Sequence, residues 1–370
     1  MASLRPTDAR LYIGLMSGTS LDGIDGVLFD ASRLAVTGHV HTPFLPALRD
    51  ELLALNTPGD NELHRAALAA NAVARGYADV VAQLLEATGT RREQVAAIGA
   101  HGQTVRHRPG GIDGYTTQLL NGALLAEQAG IDVVCDLRSR DVAAGGQGAP
   151  LVPAFHRACF GLAGQDVAVL NLGGIANVSL LFADGRTGGF DTGPANCLMD
   201  GWIARHRGLA FDADGAWAAT GRVLPDLLAA LLAEPFFALP PPRSTGRDLF
   251  HLGWLDARLT PGAAPADVQA TLLELTARSA ADALRAQMPA AATLIACGGG
   301  ARNGRLMQRL GELLRGARVK SSAALGLPVD QVEAAAFAWL AQCFKEKRPG
   351  NLPAVTGAAG LRLLGCLYPA

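Results

Sequence analysis

The stretch LYIGLMSGTSLDGIDGVLFD, from Leu11 to Asp30, decides the fold. Leu11 to Met16 is apolar and of strand length, Ser17-Gly18-Thr19-Ser20 is turn chemistry, and Ile24 to Asp30 predicts a returning strand. The pattern recurs further on: Asp166 to Leu172 predicts a strand, Gly173-Gly174 a turn and Asn177 to Phe182 a second strand. The spacing from Gly18 to Gly174 suits a duplicated domain. Any two β-hairpins share this outline, so the repeat needs support from its surroundings.

Working outward, Leu63, Ala67, Ala70, Val73, Tyr77, Val80 and Leu84 fall at helical spacing and predict a helix over roughly 61–88. Val95 to Ala100 predicts a buried strand ending at His101-Gly102-Gln103-Thr104, Leu124 to Ala129 a short helix, and Val133 to Leu137 a strand. Strand and helix alternate, which argues for a mixed α/β sheet. The regular pattern breaks near Gly145-Gly146-Gln147-Gly148, the candidate domain boundary. Beyond it, helices are predicted over 266–287, 303–315 and 330–345, and Leu294 to Cys297 runs as a strand into Gly298-Gly299-Gly300. The stretch Pro240 to Arg247 reads as an ordered surface loop.

At 370 residues the chain suggests two domains, and 49% hydrophobic against 18% charged residues excludes long disorder. A net charge of -1 offers no field for nucleic acid or an anionic membrane, so an anion must be held by Gly-rich turns and helix N-termini. The six cysteines form no CxxC pair and read as free thiols in a reducing compartment. No signal peptide and no apolar run long enough to span a bilayer is seen, so a cytoplasmic protein is expected.

Three Gly-rich turns follow apolar strands: Gly18-Thr19-Ser20, Gly173-Gly174 and Gly298-Gly299-Gly300. Glycine lets backbone N–H groups approach phosphate oxygens, and adjacent hydroxyls add donors. Each is also an ordinary tight turn. Both GxxxxGK[ST] and a GxGxxG between strand and helix are missing, which disfavours a P-loop enzyme or a dehydrogenase. Asp191, in Gly188-Gly189-Phe190-Asp191-Thr192-Gly193-Pro194-Ala195-Asn196, is expected at the end of a strand as a catalytic acid or base, or else as an Asx-turn or helix cap. His101, Gln103 and Thr104 follow a buried strand and are placed to line a cleft mouth, whereas His107 and Arg108 read as solvated loop. Arg138 has the fork to hold a carboxylate, or it pairs with Asp136 or Asp141.

Seven blocks in order now show a resemblance: Met16 to Gly23, His101 to Thr104, Gly145 to Pro153, Asn171 to Gly174, Phe190 to Asn196, Ser244 to Arg247, and Asn351 to Pro353 with Val355 to Ala358. Together they resemble the anhydro-N-acetylmuramic acid kinase family of the sugar kinase/heat-shock protein 70/actin superfamily, over nearly the whole chain. The resemblance implies two ribonuclease H-like α/β domains with an interdomain nucleotide cleft that closes over its ligands. Residues 1–143 with 355–370 are expected as the first domain and 144–354 as the second. It implies that ATP and water convert 1,6-anhydro-N-acetylmuramic acid, from peptidoglycan turnover, into N-acetylmuramic acid 6-phosphate and ADP in a homodimeric enzyme using Mg²⁺. Asp191 falls on the catalytic aspartate. ATP is expected against Gly18, Thr19, Ser20, Leu21, Asp22, Gly23, Ile24 and Asp25, then Gly173 and Gly174, with Gly298, Gly299 and Gly300 at the adenosine. Two departures stand out. Ala195 replaces a glycine common in the family, and Tyr12-Ile13-Gly14 lacks the superfamily's early acidic residue, which leaves the metal's carboxylates undefined.

In the anhydro sugar O6 is tied to C1, so C1–O6 must break as O6 takes the phosphoryl group. A carboxylate base activates water for attack at C1, and Asp191 is the acid in a suitable motif. The lactyl carboxylate needs donors: Arg138 first, then His101, Gln103 and Thr104. Glu333, on the helix Glu-Ala-Ala-Ala-Phe-Ala, either reaches the sugar or is a solvated first-turn acid. Two other readings stay open. One is a kinase for an ordinary sugar hydroxyl; the other is a nucleotide-switched chaperone or filament subunit, which calls for an appended peptide-binding domain or a polymerising surface, and no room for an added domain is expected here.

Overall fold

In the computed structural model, which describes residues 11–18 and 21–370, the chain divides into two units. One runs to Phe155 and resumes at Gln331–Ala370; the other is His156–Asp330.

The first unit opens with the decisive hairpin, β1 (Leu11–Met16) and β2 (Gly23–Asp30), antiparallel with Met16 opposite Asp25. An edge strand follows, β3 (Ala35–Pro43), then β4 (Val95–Ala100) parallel to β1. A separate two-stranded ribbon, β5 (Gln103–Arg108) with β6 (Tyr115–Leu119), precedes β7 (Val133–Cys135). The sheet order is C-terminal strand (Cys366–Tyr368), β7, β4, β1, β2, β3.

Two helices cover this sheet. A side chain on Gly26 would meet Val80 of helix Glu62–Thr88, whereas one on Gly14, across from Val27, would meet Ala334 of helix Val332–Lys345. Adjacent residues of a strand face opposite ways, so the helices lie on opposite faces. Gly14 and Gly99 are register partners on β1 and β4, and a β-carbon on either would lie 1.9 Å from a carbonyl oxygen of the second helix. The two glycines cut a groove into which its Ala-rich face descends.

That groove corrects the expected boundaries. Residues 331–354 belong to the first unit with 355–370, because helix Val332–Lys345 closes its sheet. Residues 144–155 belong there too: the Gln147 N–H donates to Thr356 O (2.7 Å) and the Gly148 N–H to buried Asp141 (2.8 Å). Asp141 ties two motif blocks together, since its other oxygen accepts from Asn351 Nδ2 (2.7 Å) and Thr356 Oγ1 (2.8 Å).

The second unit repeats the plan. β8 (Val167–Leu172), β9 (Ile175–Leu181) and β10 (Thr187–Pro194) form an antiparallel meander, and β11 (Thr293–Cys297) and β12 (Arg318–Ser321) run parallel to β8. The order β10-β9-β8-β11-β12 matches β3-β2-β1-β4-β7, so the hairpin repeat marks a true duplication. Helix Pro265–Gln287 is buried along most of its length in a core with Trp202, Phe190, Phe250 and Trp254. Among the described residues no cysteine forms a disulfide, and no helix is long and apolar enough to cross a membrane.

Candidate active site

Asp191 does not end its strand. β10 continues to Pro194, and the register with β9 slips between Asp191 and Gly193, so Thr192 is bulged inward and fully buried. A bulge re-aims neighbouring side chains. The half-buried Asp191 carboxylate therefore meets the loop after Pro242 instead of making an Asx-turn or a cap. Its Oδ2 accepts from Ser244 Oγ (3.1 Å) and the Thr245 N–H (2.9 Å), while Oδ1 accepts from no described residue. The loop is clamped by Arg243, whose main chain and Nε pair with the Asp191 backbone and whose Nη1 donates to the Phe236, Phe237 and Leu239 carbonyls. Burial pushes the Asp191 carboxyl up, against the pull of Thr245, Ser244 and Arg243. A carboxylate held on one oxygen, open on the other and made more basic by burial is suited to take a proton.

The Gly173-Gly174 turn lies beside this strand. Its carbonyls accept from Ala195, Asn196 and Cys197 N–H groups at the start of helix Asn196–Arg207, while the Gly173 and Gly174 N–H groups donate to no described residue. Nothing lies within 3.5 Å of where a Gly173 side chain would begin. Ala195 has φ −113°, so the left-handed backbone that would favour glycine is not required at this position. At the end of β11, Gly298 takes φ +78° and packs on Asn171 and Leu172, where a β-carbon would collide. Beyond it a cavity of about 230 Å³ is bordered by Gly299, Gly300, Asn196, Met199, Asp200 and Phe211. Burial lifts the Asp200 carboxyl to about 6, with Arg247 opposing and Asp212 assisting. A larger hollow, about 580 Å³, lies near Leu284, Met288 and Arg315 and holds no site residue.

In the first unit, Thr19 and Ser20 lie outside the described residues. Gly18 O accepts from the Leu21 N–H (3.2 Å) and from Gln103 Nε2 (3.1 Å). Leu21 and Ile24 are buried in the core, so only their backbone is available to a ligand, and Gly23 is hemmed in by Thr42 O and His41. Asp25 Oδ1 lies 3.0 Å from both His39 Nε2 and His41 Nδ1.

Buried His101 has both ring nitrogens engaged within the protein. Nδ1 faces Ser17 O (3.2 Å), and Nε2 accepts from Arg138 Nε (3.1 Å) and Nη2 (2.9 Å). Burial and Arg138 push its imidazole down to about 3, which keeps it neutral. Gln103 likewise braces the turn, leaving its buried Oε1 unpartnered. Thr104 accepts from Gln118 Nε2 (3.2 Å) on the ribbon, where His107 and Arg108 are strand residues and not loop. Arg138 pairs with neither Asp136 nor Asp141; besides His101 it donates to Gly148 O (2.8 Å). Two of its five N–H groups remain available. Burial lowers its guanidinium to about 10, with Glu333 opposing. Glu333 lies in the first turn of helix Val332–Lys345 and is solvent-accessible.

A model of the anhydro-N-acetylmuramic acid kinase family matches residues 10–370. The chain belongs to that family. The anhydro-N-acetylmuramic acid kinase of Variovorax paradoxus is 62% identical, covering 98% of this chain and 99% of its own. That of Bordetella pertussis is 59% identical, covering 98% and 96%. Among solved structures, a ROK family glucokinase from Streptomyces griseus with glucose and AMPPNP covers 89% of this chain and 98% of its own, at 18% identity and a TM-score of 0.40. The two units thus share one strand order in a chain of the anhydro-N-acetylmuramic acid kinase family.

Sequence reasoning missed the cavity residues Met199 and Phe211 and the acid Asp200, which carry no motif. It also passed over the hold of Ser244 and Thr245 on Asp191. The Ser244-Thr245-Gly246-Arg247 block was the available signal, since four small or polar residues after a Pro run need a fixed partner to be ordered.

Proposed function

We infer that the chain is an ATP-dependent kinase that hydrolytically opens 1,6-anhydro-N-acetylmuramic acid and phosphorylates O6, giving N-acetylmuramic acid 6-phosphate and ADP. The observation that carries the mechanism is the Asp191 carboxylate, fixed through Oδ2 and open at Oδ1. In this reading Asp191 takes a proton from water as the water oxygen bonds to C1. The C1–O6 electron pair passes to O6, which bonds to the terminal phosphorus as that phosphorus parts from the β–γ bridging oxygen. The leaving O6 needs no separate acid, because phosphorylation caps its charge.

The unused N–H groups of Gly173 and Gly174 suit phosphate oxygens. The cavity bordered by Met199, Phe211 and Gly299 suits the nucleoside, with Asn196 and Asp200 as polar partners. Gly18 to Asp25 supplies the second phosphate contact. Arg138 is assigned the lactyl carboxylate through its two remaining N–H groups, with His101 and Gln103 as supports and Glu333 and Thr104 toward the sugar.

Among the described residues no three His, Cys, Asp or Glu side chains are grouped to hold a metal ion. Mg²⁺ is the ion this reading calls for, and it is bound mostly by phosphate oxygens and water with one or two carboxylates. Asp22 and Asp25 are the candidates, and the ion would neutralise phosphate charge. A homodimer in the cytoplasm, acting in peptidoglycan recycling, completes the reading on the strength of the family resemblance.

Substrate competition tests it. With ATP supplied, mass spectrometry should find a hexosamine phosphate from the anhydro sugar and far less from free N-acetylmuramic acid. Preferential phosphorylation of the free sugar would make this an ordinary hydroxyl kinase.

A further inference from the structure

The loop that holds Asp191 ends in a guanidinium that no described residue uses. Arg243 at its start is committed to four carbonyls, and Ser244 and Thr245 are committed to Asp191. Arg247 is exposed and makes no hydrogen bond or ion pair with a described residue. Its position is nonetheless defined. A β-carbon on Gly174 would lie 3.3 Å from Arg247 Nη2 and 3.5 Å from Nε, so the guanidinium rests over the glycine turn. The N–H groups of that turn donate to no described residue, while its carbonyls bind the start of helix Asn196–Arg207. Asp200 senses the charge of Arg247 but forms no ion pair with it. A cation with free donors beside two free N–H groups is a seat for an anion with several oxygens.

We propose that Arg247 is a catalytic residue that contacts the terminal phosphoryl group of the nucleotide during transfer. The proposal rests on the reading of Asp191 and the Gly173-Gly174 turn given above. One short loop touches both the base and this turn, so its cation belongs at the reacting end of the nucleotide. The nucleoside end is assigned to the cavity at Gly299 and Gly300. In phosphoryl transfer, charge spreads over the equatorial oxygens of the moving group, and a planar guanidinium meets two of them at once.

Arg247→Ala and Arg247→Lys in the full chain test the assignment. An arginine in this role is worth about 10³–10⁵-fold in kcat, so Arg247→Ala should lose about 10³-fold and the lysine variant should recover only part. Calorimetry should show weaker ATP binding with AMP binding unchanged. The melting temperature should hold, since Arg247 has no partner to lose. An Asp200→Asn, Arg247→Ala double variant should stay defective. If the alanine variant keeps kcat within about threefold and the ATP-to-AMP affinity ratio is unchanged, or if the double variant regains activity, the assignment is overturned and Arg247 only balances Asp200. Should the wild type fail on the anhydro sugar while ATP-over-AMP discrimination still depends on Arg247, the substrate reading falls and the phosphoryl contact stands.

Discussion

Replacing Asp141 should destabilise the first unit, and asparagine should serve little better than alanine. The side chain is fully buried and accepts three hydrogen bonds, from Gly148 N, Asn351 Nδ2 and Thr356 Oγ1. In Asp141→Ala two donors keep a longer fallback, Asn351 to Gly360 O (3.2 Å) and Thr356 to Leu352 O (3.4 Å), while the Gly148 N–H is stranded. A stranded buried donor costs about 1–3 kcal/mol, and each lost bond to a charged acceptor about 1.5–3 kcal/mol before relaxation. With the two fallbacks recovering part, the net is about 3–5 kcal/mol. In Asp141→Asn either amide orientation turns NH₂ toward a donor, because the Asn351 amide is fixed by the Arg362 N–H on its oxygen (2.7 Å). Hydrogen exchange over 145–153 and 351–358 reads this directly: a loss of that size accelerates exchange by about 10²–10⁴-fold where these amides open with the unit. Because Gly148 O holds Arg138, the KM for the sugar should rise as well. Wild-type exchange in Asp141→Asn would refute the donor-against-donor reasoning.

Asp191→Asn should keep its bonds to Ser244 and Thr245 through the amide oxygen, so ligand affinity should survive while the rate falls about 10²–10⁴-fold; a near wild-type rate would place the base elsewhere. The raised Asp191 carboxyl must be ionised to act. Activity should therefore fade as pH drops through a value above that of a free aspartate, and a profile flat to the ordinary carboxylate range would contradict the burial argument. Gly174→Val should weaken ATP binding in calorimetry, because a branched side chain displaces Arg247 and covers the turn's N–H groups; unchanged affinity with an intact fold would remove that turn from the nucleotide site.

The two hairpins were legible because their inner strands are continuous apolar runs, buried on both faces. β3 was not: His39, His41, Thr37 and Thr42 make an edge strand whose residues are polar and partly exposed. The end of β10 hid for a related reason, since Asp-Thr-Gly-Pro reads as turn chemistry and stays in the strand only by pairing with β9. Helix Val332–Lys345 was placed in the wrong unit because the Gly14–Gly99 groove is a pairing between distant residues that no local pattern displays. Asp191 was singled out by its motif, but the arms that hold it arrive from more than fifty residues away. The partners of His101 were not legible, because a polar residue after a buried strand can face a ligand or brace a turn.

The central claim, that water attacks carbon while phosphorus goes to O6, is tested by turnover in ¹⁸O-labelled water with ATP and anhydro-N-acetylmuramic acid. Mass spectrometry at early times, before the sugar's anomeric oxygen exchanges with solvent, should find one labelled oxygen at C1 and none in the phosphate. Label in the phosphate would mean that water attacks phosphorus, and the account of Asp191 as the base for ring opening would be contradicted.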